Sequence, residues 1–142
     1  VGGRRHALHN QAWAERGDWG KAAAAWERAL ALDPGYDLAA FNLARARAEQ
    51  GRYEDSLALA LRLLKRDPAL LSAMAIQAYA LARLGRLDEA LAVYERVVAA
   101  NPADETALKN LDAIRSAMAA AAAEVEKPAE EAAAVEAPPP SP

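Results

Sequence analysis

His6 and His9 are the only histidines in the chain. On a helix their three-residue spacing sets two imidazoles on adjacent turns, where they could share a divalent metal. The remaining ligands for that chemistry are missing: there is no Cys and no third His, and the nearest carboxylate in sequence is Glu15. With so few ligands at hand, no metal site is expected. Other chemistries fare no better. No nucleophile is paired with a base, no glycine-rich loop is built to cradle a phosphate, and no carboxylate dyad stands out. Gly17-Asp18-Trp19-Gly20 reads as a turn between helices. The expectation is a protein with no cofactor and no catalytic residues.

Composition narrows the remaining classes. Of 142 residues 40 are Ala, which with abundant Leu and few β-branched residues argues for helices and against a sheet. The absence of Cys excludes a disulfide scaffold and leaves the redox compartment open. A net charge of −3 argues against a general grip on nucleic acid. No apolar run approaches the roughly 20 residues of a membrane span, so direct membrane insertion is not expected. The chain opens Val1-Gly2-Gly3 without Met, which suits a fragment or a processed product.

The elements that must position any functional side chain announce themselves by repetition. Pro34, Pro68 and Pro102 are each preceded by Asp or Asn and stand 34 residues apart. Gly17, Gly51 and Gly85 keep the same interval. Trp19, Tyr53 and Leu87 follow the glycines by two, and Ala22, Ser56 and Ala90 follow by five. Before each Gly, apolar residues recur at helical spacing, as in Leu38, Phe41, Leu43 and Ala44. The Gly ends that helix by taking a positive φ. A second helix follows, for example Asp88 to Ala100, with Asp88 as N-cap or first-turn acid. The proline then stops it at the residue before. The small residue at 22, 56 and 90 permits two antiparallel helices to cross closely.

A 34-residue helix–turn–helix with Gly, a small residue and Pro at these offsets resembles the tetratricopeptide repeat (TPR). The strings GDWGKAAAAWERALALDP, GRYEDSLALALRLLKRDP and GRLDEALAVYERVVAANP are similar to the second half of that motif, the third most closely. With the Gly at repeat position 15, the units are 3–36, 37–70 and 71–104. First halves are looser: position 8 holds Asn10, Ala44 and Ala78, position 4 His6, Ala40 and Met74, and position 11 Trp13, Arg47 and Leu81. The resemblance implies an all-α, right-handed superhelical solenoid. Residues 105–126 continue as a capping helix through Leu108, Leu111, Ile114 and Met118. Residues 127–142, rich in Ala, Glu and Pro, cannot bury enough apolar surface to offset chain entropy and are expected to be disordered, as a spacer or a simple terminus.

The resemblance also implies where a partner would bind. Trp19 and Trp26 fall at positions where TPRs place packing aromatics. Positions 2, 5, 6, 9, 12 and 13 of each first helix line the inner, concave face of the stack. Here that face offers Gln11, Phe41, Asn42, Arg45, Tyr79 and Arg83, and the capping helix adds Lys109 and Asn110, with alanines leaving room between them. Amides can bond an extended peptide backbone, and the cations can pair with carboxylates. The TPR subtype that clamps a chaperone's terminal carboxylate uses Lys, Asn, Asn, Lys and Arg at sites that here read Ala7, Gln11, Asn42, Ser72 and Ile76. Only Asn42 matches, so that activity is not expected.

The expectation is therefore a non-catalytic adaptor or scaffold for a protein or peptide partner. The alternatives are a structural module that self-associates through its end repeats, and a regulatory domain clipped from a larger or membrane-associated protein. Composition has a bacterial cast and fits cytoplasm and periplasm alike.

Overall fold

A computed structural model describes residues 18–123 and 134–139. Expectations for His6, His9, Gln11 and Trp13 lie outside the described residues. Six helices are formed among those described: α1 (Trp19–Leu32), α2 (Asp37–Glu49), α3 (Tyr53–Arg66), α4 (Leu71–Arg83), α5 (Leu87–Ala100) and α6 (Glu105–Ala122). Their starts hold the 34-residue interval without slippage: 19, 53 and 87 for one set, 37, 71 and 105 for the other. The fold is an all-α TPR-like repeat array.

Two kinds of punctuation set these boundaries. After α2 and α4 the chain turns through Gly51 and Gly85, whose φ values are 77° and 81°. The N–H of Arg52 then reaches back to the carbonyl of Arg47 at 2.8 Å, and the N–H of Gly51 to that of Ala48 at 3.0 Å. Arg86 and Gly85 repeat this with Leu81 and Ala82. Such paired bonds satisfy carbonyls that a helix end otherwise orphans, and they require a left-handed residue at the turn. After α1, α3 and α5 the stop is a proline. Asp33, Asp67 and Asn101, each just before one, sit near φ −141°, −137° and −141°, because the proline ring crowds the preceding residue out of the helical region.

Starts are capped in two ways. Asp18 and Asp104 accept from the N–H groups of Lys21 and Ala107 at 3.1 and 3.0 Å. Arg52 and Arg86 hold the N-cap positions of α3 and α5 without a side-chain cap. Each arginine instead pairs with an acid in the first turn, Asp55 at 2.8 Å and Glu89 at 2.5 Å. Asp88 is thus a first-turn acid and not the cap, and α5 starts one residue earlier than expected.

The chain divides into two compact units, residues 1–68 and 69–142. In the first, α1 packs on α2 and α2 on α3. Trp26, Ala22, Ala29, Ala39, Leu43 and Ala46 form its core. Ala22 and Ser56 have no exposed surface, as close helix crossing requires. The Ser56 hydroxyl also donates to the carbonyl of Ala44 at 2.8 Å, tying α3 to α2. Arg66 donates to Asp37 at 2.6 Å and so clips the end of α3 to the start of α2. In the second unit α4 packs on α5 and α5 on α6. Ile76, Tyr94, Val97 and Ile114 are all but sealed from solvent, and Ala90 is fully buried at the crossing position.

Three expectations need correction. Leu108 falls on helical spacing with Leu111 and Ile114, yet it is 40% exposed. The capping helix ends at Ala122, with Ala123 as its C-cap. The tail, residues 127–142, was expected to be disordered; part of it lies outside the described residues, but its described part, residues 134–139, lies against α6, with Val135 buried and Glu136 hydrogen-bonded to Asn110. The entropy argument fails for this stretch because its main chain finds partners that its side chains alone could not supply.

Candidate functional site

In the unit of residues 69–142, the site is built around the sixth residue of α6. Asn110 is 2% exposed. Its Nδ2 donates to the carbonyl of Glu136 at 2.8 Å, and its Oδ1 accepts from the N–H of Glu136 at 2.8 Å. One residue's two main-chain groups are thereby held by one primary amide, much as a neighbouring strand exchanges both bonds with a residue in a sheet. The same Nδ2 lies 3.3 Å from the Tyr94 hydroxyl on α5, which orients it. Burial pushes the Tyr94 phenol well above the ordinary tyrosine range, against the opposing pull of the Asn110 hydrogen bond. The hydroxyl therefore stays neutral and serves as an acceptor for the amide.

Side chains complete the contact. Val135 is 4% exposed. Lys109 Nζ stands 3.3 Å from Glu136 Oε1, with both side chains more than half exposed, so this pair adds little energy and mainly sets charge preference. Pro138 and Pro139 border a narrow cleft with Ala75, Tyr94 and Thr106.

In the unit of residues 1–68 the corresponding residue is Asn42, the sixth of α2 and 4% exposed. Its Nδ2 has no hydrogen-bond partner among the described residues. The repeat position held by Tyr94 is here Trp26, and an indole donates but cannot accept. One turn along α2, the Arg45 guanidinium lies 5.6 Å from the centroid of the Trp19 ring, a cation–π distance. Burial pulls the Arg45 guanidinium below its ordinary value, and the charge of Glu49 opposes that. Arg47, mostly buried, pairs with Glu27 of α1.

The expected site residues therefore separate. Phe41, Asn42 and Arg45 belong to one unit; Tyr79, Arg83, Lys109 and Asn110 belong to the other. Lys109 and Asn110 are brought together on one bound segment. Phe41 and Tyr79 were expected to be exposed aromatics offered to a partner. They are only 7% and 9% exposed. Arg83 is exposed. Sequence reasoning missed Tyr94, Val135 and Glu136 as parts of the site, and missed Trp19 as the seat of Arg45. The available signal was that Asn42 and Asn110 share one repeat position.

Among the described residues no three His, Asp or Glu side chains converge to hold a metal. No described helix is long and apolar enough to cross a membrane.

Comparison with known proteins agrees with the repeat geometry. The family model described as Psidin, N-terminal TPR repeats region, matches residues 47–137, and a tetratricopeptide repeat model matches residues 11–70. Neither is a catalytic family. A comparison with curated proteins finds no match. Among solved structures, the first TPR domain of Spaghetti (RPAP3) bound to the HSP90 peptide SRMEEVD superposes with a TM-score of 0.76 at 20% identity, over 82% of this chain and 95% of that one. The second TPR domain of human RPAP3, in complex with the HSP70 peptide SGPTIEEVD, gives 0.71 at 23% over 80% and 98%. The Sgt2 TPR domain from Aspergillus fumigatus gives 0.78 at 18% over 99% and 86%. At these identities the likeness is one of fold. Together with the 34-residue interval, the Gly-terminated first helices and the proline-stopped second helices, the match over residues 47–137 shows that the chain belongs to the tetratricopeptide repeat family.

Proposed function

We propose that this chain is a non-catalytic adaptor that binds an extended segment of a partner protein through the segment's main chain, at the helix face carrying Asn42. The observation that carries this reading is the state of Asn42: a buried primary amide whose nitrogen has no partner among the described residues. Leaving such a donor unsatisfied costs about 1–3 kcal/mol, so its presence asks for a role. Asn110, at the same repeat position, supplies one by bonding both main-chain groups of an extended residue.

Arg45 supports the reading. Held over the Trp19 ring, its guanidinium has already lost much of its freedom, so placing a carboxylate against it costs less ordering. The first and second RPAP3 domains bind the HSP90 peptide SRMEEVD and the HSP70 peptide SGPTIEEVD. Here Ala7, Gln11, Ser72 and Ile76 stand at four of the five clamp positions of the carboxylate-clamping subtype. The segment bound by this chain is therefore read as internal or mixed in charge, and not as a doubly charged terminal carboxylate.

The test is selection of peptides from a random library on the full chain, followed by titration of the selected sequences. Asn42→Ala should weaken binding at least about tenfold, the equivalent of ~1.4 kcal/mol. Arg45→Glu should weaken acidic members of the selected set further. Undiminished affinity in all of these variants sinks the proposal.

A further inference from the structure

We infer that residues 134–139 are an internal ligand of the unit formed by residues 69–142, and that the face they cover accepts external segments of the same chemistry: extended, with an aliphatic residue, an acidic residue and a following proline. This rests on the reading that amides at the sixth position of these helices bind main chain, and it adds the occupant and its class.

Four features of the contact define that class. Asn110 engages the N–H and the carbonyl of one residue, Glu136, at 2.8 Å each. Both groups point to one side only where the chain is extended, and the contact is indifferent to the side chain there. Selectivity comes from the side chains. Val135, ahead of the clamped residue, is 4% exposed, so the preceding position favours an aliphatic side chain. Glu136 faces Lys109, which disfavours a basic residue at the clamped position. Pro138 and Pro139 border the cleft with Ala75, Tyr94 and Thr106. Proline holds an extended backbone without a main-chain donor to satisfy, so it enters such a cleft at low entropic cost.

The covalent connection makes the segment a competitor. Ten residues separate Ala123 from Ala134. A tether of that length holds the segment at a local concentration on the order of millimolar. An external peptide of equal intrinsic affinity must therefore compete against that level. Substitutions confined to the tail release the face without touching the helices.

The experiment uses the full chain and the fluorescein-labelled peptide Ala-Val-Glu-Ala-Pro-Pro. The release variant is Val135→Asp with Glu136→Pro, which removes the buried aliphatic group and the clamped N–H. The release variant should bind the peptide at least about tenfold more tightly than the unaltered chain. In the unaltered chain the Glu136 amide should exchange with solvent at least about tenfold more slowly than in the free peptide. Adding Lys109→Glu to the release variant should weaken the peptide and favour its Glu→Lys counterpart, a charge swap that general loss of structure cannot produce. This binding is read through the tail release and the Lys109→Glu charge swap, whereas the Asn42 reading is read through the library-selected peptides, so the two fail separately. Equal affinity for the unaltered and released chains, no binding to either, or random-coil exchange at Glu136 overturns the inference. So does a concentration-dependent dimer abolished by Val135→Asp, since that would place the tail on a second copy.

Discussion

Asn42 and Asn110 occupy the same residue of the repeat, the sixth of their helices and two 34-residue periods apart, yet one amide nitrogen has two acceptors and the other has none among the described residues. What differs is the neighbourhood: Tyr94 at one repeat position 24 and Trp26 at the other, and a clamped segment beside Asn110.

That difference separates stability from binding at Asn42. Leu has nearly the shape of Asn and leaves no buried donor unsatisfied. Asn42→Leu should match or exceed the parent chain in urea midpoint, by up to about 1 kcal/mol, while losing the peptides selected on the parent. A marked drop in midpoint with binding intact would assign Asn42 a structural role instead.

Gly51 and Gly85 adopt φ values of 77° and 81°, and a Cβ added at either would meet nothing within 4 Å. The cost of Gly→Ala is then conformational alone, about 1–2 kcal/mol at each site. Asn, which tolerates the left-handed region, should cost less. Denaturant unfolding of the four single variants checks both the size and the order.

Ser56 is fully buried at the α2–α3 crossing. Removing only its hydroxyl, as in Ser56→Ala, gives up one hydrogen bond to the Ala44 carbonyl and should cost at most about 1 kcal/mol. Ser56→Leu must wedge the two helices apart and should cost about 1–3 kcal/mol or more. If the two variants melt alike, the crossing is looser than its geometry.

Tyr94 predicts an alkaline limit. Its pKa in the folded chain is raised by burial, whereas an unfolded tyrosine ionises near about 10. Below that value neither state gains. Above it the unfolded chain loses a proton that the folded chain keeps, so stability falls as pH rises past about 10. Thermal midpoints at pH 8 and pH 11 should drop more for the parent chain than for Tyr94→Phe. A drop of equal size in both would show that Tyr94 does not carry the effect.

The amino-acid sequence by itself determined the architecture. Gly51, Gly85, Pro34, Pro68 and Pro102 act through their own backbone restrictions, which no distant contact is needed to express, and so the helices α1 to α6 begin and end close to where those residues place them. The small residues at 22, 56 and 90 marked the crossings for an equally local reason: volume is a property of the side chain itself. Only tertiary structure decided the site. Phe41 and Tyr79 fall on the inner-face pattern but are drawn into packing, because a periodicity argument assigns a face and not the depth of its neighbours. The tail was read from composition, which counts apolar surface and ignores main-chain hydrogen bonds. Its seat on Asn110 joins residues 26 positions apart in the chain, and a contact at that separation exists only once α5 and α6 have packed to hold Tyr94 against the amide.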